Sequence, residues 1–173
     1  MKSVLFFIGY MGAGKSHTAR KMAARGAWEV RDLDDAIQQK TGRTVEAIFR
    51  EDGEAAFRKM EMVVLNGLVV EPKVQIIACG GGTPCIPGAM DWMKSMGHVV
   101  HLNPPFEVIE RRLKSVNEKS QRPMLSDSHG KAKSDVDVKA LWEFRKACYA
   151  RADEQINGLP AASDFLRWES ALG

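Results

Sequence analysis

The 173-residue chain lacks most of the features that would commit it to a membrane, an oxidising compartment or a polyanion. The apolar run nearest the N-terminus, Val4 to Ile8, is too short for the core of a secretion signal and far too short to span a bilayer. A cytoplasmic protein without a membrane association is the expectation. The three cysteines, Cys79, Cys85 and Cys148, are odd in number and show neither CxxC nor Cys/His metal spacing. That count argues against a disulfide framework and a zinc site, and fits a reducing cytosol. Charge of one sign is also missing: 25 Lys and Arg are interleaved with 22 Asp and Glu, for a net +3. No basic stripe of the kind that binds nucleic acid results. Repeats and low-complexity tracts are absent. What remains, 45% hydrophobic and 27% charged residues, is the composition of one globular domain, and a chain of this size without an apolar surface stripe is expected to be a monomer.

Along that domain, apolar strands alternate with helical segments. Val4 to Ile8 is continuously apolar and ends at Gly9, the pattern of a strand buried on both faces of a parallel sheet. Lys15 to Arg25 reads as a helix, Trp28 to Val30 as a short strand, and Thr44 to Val70 as two helices broken at Gly53. Val74 to Ala78 is a strand, Pro87 to Met96 a helix, His98 to Leu102 a strand and Phe106 to Lys119 a helix. Ser120 to Ser134 is polar and reads as an exposed, mobile segment, followed by a helix over Val138 to Asp153. Gln155 to Asn157 suits a short edge strand and Ala162 to Leu172 a closing helix. The alternation predicts an α/β fold, a doubly wound sheet of about five parallel strands flanked by helices.

The strongest chemical signal is Gly9-Tyr10-Met11-Gly12-Ala13-Gly14-Lys15-Ser16, which fits G-x-x-x-x-G-K-[ST] between a buried strand and a helix. Glycines let successive backbone N–H groups turn inward around an anion, and the helix end adds positive potential. Lys15 suits the β- and γ-phosphates of a nucleotide, most simply ATP, and the Ser16 hydroxyl suits Mg²⁺. Asp32 and Asp34 lie two apart, so that in an extended segment both carboxylates face one way. Asp32 would then hold the magnesium shell and Asp34 the attacking hydroxyl, although the pair serves equally well as a cap for the next helix. Arg58 and Glu61 share a helix face, either as an oriented guanidinium for a carboxylate or as a plain surface ion pair. Gly80, Gly81 and Gly82 follow a strand at the carboxyl end of the sheet, where ligands of open α/β folds bind, and a plain loop is the alternative. Arg122, in Arg122-Pro123-Met124-Leu125, and Arg145, four residues before Tyr149, are either lid-type cations or solvated charges.

Taken together and in this order, these elements resemble the shikimate kinase family over about Val4 to Asp153. The resemblance implies a P-loop NTPase-type fold and transfer of the ATP γ-phosphoryl group to the 3-hydroxyl of shikimate, in the route to chorismate and the aromatic amino acids. It implies phosphate contacts from Gly12, Ala13, Gly14, Lys15, Ser16 and His17, with Arg122 as the lid arginine contacting ATP and Ser16 and Asp32 on Mg²⁺. It further implies that Asp34 binds the shikimate hydroxyls, Arg58 and Arg145 its carboxylate, and Gly80 to Gly82 close the pocket. Lys15, Asp34 and Arg122 would be catalytic. Residues 1–173 then form a single kinase domain with a shikimate-binding helical segment at about 35–70 and a lid at about 120–135. Arg111 or Arg112 and the stretch near Pro160 are the candidates for flanking adenine. Another small-molecule P-loop kinase, acting on gluconate or a nucleoside monophosphate, shares the loop and lid logic. A silent nucleotide-binding module would be expected to lack Asp34, Arg58 or Arg145.

Overall fold

The computed structural model describes residues 4–26, 28–71, 74–117 and 135–172. Strands β1 (Val4–Ile8), β2 (Glu29–Asp32), β3 (Val74–Ala78), β4 (Gly97–Asn103) and β5 (Glu154–Asn157) form one sheet of order β2-β3-β1-β4-β5. Every pairing is parallel. β1 is central and buried at every position, which is why its five residues carry no polar side chain.

Alternation along β1 feeds two layers. Leu5 and Phe7 face α1 (Lys15–Ala23) and α7 (Ala162–Leu172), packing with Ala19, Met22, Phe165 and Trp168. The Phe7 and Trp168 rings meet edge to face at 5.1 Å. Val4, Phe6 and Ile8 face the other layer, with Leu33 and Ile37 of α2 (Leu33–Thr41), Leu65 of α3 (Val45–Val70) and Met93 of α4 (Ala89–Met96). The remaining helices are α5 (Phe106–Asn117) and α6 (Asp135–Tyr149), with a short 3₁₀ turn at Thr83–Cys85. The doubly wound parallel sheet expected from the strand-helix alternation is therefore the fold observed.

Several boundaries move for identifiable reasons. The second strand is Glu29–Asp32 rather than Trp28 to Val30, because Arg31 and Asp32 pair with Ile77 and Ala78 of β3. Ladder bonding there overrides the poor strand propensity of Asp32. The break expected at Gly53 is present: its φ of 82° and ψ of 169° are not helical, so α3 is two helical segments meeting at a kink. α6 stops at Tyr149 instead of Asp153, because Asp153 has left the helix to pair with β4. Its N–H donates to the Val99 carbonyl and its carboxylate accepts from the Val99 N–H, both at 3.0 Å. The expected mobile segment, Ser120 to Ser134, lies outside the described residues, as does Arg122.

Contrary to the expectation from the cysteine count and spacing, two of the three cysteines are bridged. Cys85 and Cys148 are disulfide-bonded across a sequence separation of 63, and Cys79 is a buried free thiol. Counting and local spacing miss such a pair, since the fold alone brings the 3₁₀ turn against α6.

Candidate active site

The loop Gly9 to Lys15 joins the C-terminal end of β1 to α1. Gly14 is the N-cap of α1 at φ 99°, a left-handed conformation that side chains disfavour. The cap has no side-chain hydrogen bond, so the amide donors of the first turn point toward the loop's own concavity, the arrangement that receives an anion. Lys15 Nζ donates to the carbonyls of Gly9 and Tyr10 at 2.9 and 3.0 Å, which folds its ammonium back along the loop. From α5, Arg112 Nη1 donates to the Gly12 carbonyl at 2.8 Å.

The two aspartates divide their work differently from the expectation of one extended segment. β2 ends at Asp32 and α2 starts at Leu33, so Asp34 is already helical. Asp32 caps α2, accepting the Asp34 N–H on Oδ1 at 3.1 Å, and its other oxygen, Oδ2, accepts from the Ser16 hydroxyl. Capping and facing the phosphate loop are thus not alternatives: one carboxylate does both. Asp34 points into the cleft beside Gly80, and burial there, with Asp32 and Glu61 nearby, pushes its pKa up from 3.8 to about 6. Lys15 and Arg58 oppose that rise.

On the opposite wall, Arg58 Nη1 donates to Glu61 Oε2 at 2.6 Å and Nη2 to Glu54 at 3.0 Å. Glu61 is fully buried, and its second oxygen accepts from the Thr83 hydroxyl, also buried. The guanidinium packs over the Phe49 and Phe57 rings and against Gly82, where any Cβ would collide with it. Arg145 of α6 is 4% exposed, lies over the Tyr10 ring at 5.8 Å, and would stand 3.2 Å from a Cβ at Gly81. The Tyr149 hydroxyl donates to the Gly81 carbonyl at 2.6 Å. The glycines therefore leave room for two cations to converge.

The loop from Met11 to Ser16, Asp32, Asp34, Arg58, Glu61, the triple glycine, Arg112 and Arg145 line one cleft of about 880 Å³, with exposed His17 at its rim. Glu54, Thr83, Tyr10 and Tyr149 support them from outside its lining. Of the two adenine-side arginines considered, Arg112 lines the cleft, together with Leu159 and Pro160. Sequence reasoning missed Thr83 and Tyr10. Tyr10 supports Arg145 and donates to the Val138 carbonyl at 2.9 Å, 128 positions away, and no local pattern reports a contact of that range.

A shikimate kinase family model matches residues 11–163 of the chain. The shikimate kinase of Aquifex aeolicus is 34% identical over 155 residues, covering 89% of this chain and 86% of that protein. Among solved structures, the shikimate kinase from Acinetobacter baumannii in complex with shikimate superposes with a TM-score of 0.80 at 30% identity, covering 97% of this chain and 90% of that one. The shikimate kinase from Bacteroides thetaiotaomicron gives a TM-score of 0.80 at 32% identity, covering 96% and 97% respectively.

The buried carboxylate of Glu61 makes a stability test available without any ligand. Glu61→Ala leaves Arg58 and Thr83 without their shared partner and should cost about 3 kcal/mol, the lower end for breaking a buried ion pair, since Arg58 is partly exposed. Urea unfolding measures it, and a loss below about 1 kcal/mol would show that solvent replaces the carboxylate there.

Proposed function

The chain belongs to the shikimate kinase family, and from that premise we propose how its own residues carry the reaction, transfer of the ATP γ-phosphoryl group to the 3-hydroxyl of shikimate. It is an ATP-dependent phosphotransferase of the pathway to chorismate and the aromatic amino acids. The observation that supports the residue assignment is the opposition within one cleft of two kinds of surface. Backbone amides and Lys15 of the phosphate loop stand on one side, and Asp34, Arg58 and Arg145 gather around the triple glycine on the other.

Gly12, Ala13, Gly14, Lys15, Ser16 and His17 are assigned to the ATP phosphates, with Lys15 exchanging its two carbonyl partners for phosphate oxygens. Ser16 and Asp32 place hydroxyl and carboxylate oxygens in contact, a donor set of the hard kind that suits Mg²⁺. No cluster of three or more His, Cys, Asp or Glu exists among the described residues, and magnesium in such sites takes its other ligands from phosphates and water. When bound, the ion supplies charge neutralisation on the β- and γ-phosphates. Arg122, from the proposed lid at about 120–135, is assigned the remaining phosphoryl charge.

Shikimate is a small polyol acid, and its carboxylate is assigned to Arg58 and Arg145, its ring hydroxyls to Asp34, and the wall between them to Gly80, Gly81 and Gly82. Glu61 and Tyr10 hold the two guanidiniums in place before substrate arrives, so less conformational freedom is lost on binding. Asp34 orients the 3-hydroxyl toward phosphorus and, being ionised at neutral pH, is able to take its proton. Catalysis is then positioning plus electrostatic neutralisation. Residues 1–173 are read as one kinase domain, with α2 and α3 supplying the shikimate-binding segment. A monomer acting in the cytoplasm on small molecules, without nucleic-acid or membrane partners, completes the reading.

A coupled assay of ADP release with shikimate, gluconate and nucleoside monophosphates as acceptors tests the substrate. Turnover confined to shikimate is expected, and turnover of another acceptor with none of shikimate would overturn the assignment. Calorimetry on Arg58→Ala should show shikimate binding weaker by about 2 to 4 kcal/mol, the scale for removing one partner of a desolvated charge pair. Unchanged affinity would take Arg58 out of the substrate site. Because the Asp34 pKa is raised and its ionised form is the competent one, kcat/KM should fall as the pH drops through about 6. Between pH 7 and pH 5 the loss is about tenfold, and a flat profile over that interval would exclude Asp34 as the proton acceptor.

A further inference from the structure

α6 brings Arg145 and Tyr149 to the glycine turn, and it is also joined to that turn covalently. Cys148 lies one helical turn beyond Arg145 and is bonded to Cys85, three residues beyond Gly82. The Cα atoms are 5.3 Å apart, within the range that a disulfide spans without moving the backbone. Cys85 belongs to the 3₁₀ turn that continues directly from the triple glycine, and its N–H donates to the Gly82 carbonyl at 3.0 Å. Thr83 of the same turn holds Glu61, and through it Arg58. The bridge therefore links the mounting of one guanidinium to the mounting of the other.

α6 is seated in the core by its buried Val138 and Tyr149, and noncovalent contacts near this wall orient it. Tyr149 donates to the Gly81 carbonyl, Tyr10 donates to the Val138 carbonyl, and Arg145 lies over the Tyr10 ring. Both bridged cysteines are partly exposed, whereas Cys79 is buried and its thiol is pushed up out of the reactive range by burial.

We propose that the Cys85–Cys148 disulfide is a redox-sensitive positioning device that holds Arg145 against the glycine turn, so that reduction weakens shikimate binding. The proposal rests on the reading of Arg145 as a carboxylate ligand. The reductant is a dithiol. One of its thiolates attacks a bridge sulfur, forming a mixed disulfide and releasing one cysteine thiolate. Its second thiolate then displaces the other cysteine. Two electrons and two protons pass to Cys85 and Cys148, and the reductant leaves as its own disulfide. Oxidised glutathione carries out the reverse exchange in two steps, leaving as two thiols.

The test uses the full chain equilibrated with dithiothreitol or with oxidised glutathione. Alkylation under denaturing conditions should count all three thiols in the reduced protein and one in the oxidised protein, with Cys85 and Cys148 in a linked peptide pair. The KM for shikimate should be higher in the reduced form by about fivefold, the lower end of typical coupling between sites, while kcat and the KM for ATP change by less than about twofold. Cys85→Ser and Cys148→Ser should each show the high KM under both conditions. Three free thiols after oxidation, or a redox response that persists in Cys148→Ser, would overturn the proposal. A bridged protein with the same shikimate KM in both states overturns the switch and leaves the functional reading standing. A bridged protein that turns over no shikimate in either state overturns both.

Discussion

A carboxylate taken entirely out of water is costly unless each of its oxygens is met by a donor, and Glu61 is such a carboxylate. One oxygen accepts from Arg58 and the other from Thr83, so a single buried charge couples the middle of α3 to the turn after β3. Its influence extends further. The same negative charge is among the causes that raise the Asp34 pKa toward neutral. Arg58 is therefore more than a cation on a helix: it is held in orientation by a group that has no other place to put its charge.

The parallel sheet supplies the rest of the geometry. In an all-parallel sheet every strand's carboxyl end opens on one edge, and the chain leaves β1, β2 and β3 there as the phosphate loop, the Asp32 cap and the triple glycine. Three segments far apart in sequence thus meet within one cleft. Their side chains differ in how they are fixed. Asp32 is locked by serving both α2 and Ser16, whereas Arg145 depends on the placement of α6, a helix more than fifty residues further along the chain than the triple glycine. The aromatic ring of Tyr10 and the disulfide next to the glycine turn hold that helix in place.

Much of this was legible before the fold was known. The phosphate loop is a contiguous motif whose function is set by local backbone geometry, and the continuous apolar run of β1 announces a strand covered on both faces. Arg58 and Glu61 are one helical turn apart, so their pairing follows from the helix period. The aspartate pair was legible as chemistry but not as geometry, because a strand ends and a helix begins between the two residues.

By itself, then, the sequence determined the strand-helix alternation, the glycine-rich loop motif and the residue types on the opposite wall of the cleft, all of which are encoded within windows of a few residues. Only the tertiary structure decided that Thr83 completes the Glu61 pair, that Tyr10 reaches Val138 and supports Arg145, and that Cys85 meets Cys148. Those contacts join positions tens of residues apart or more. Their partners are selected by where a packed sheet places its loops, and no periodicity along the chain carries that information.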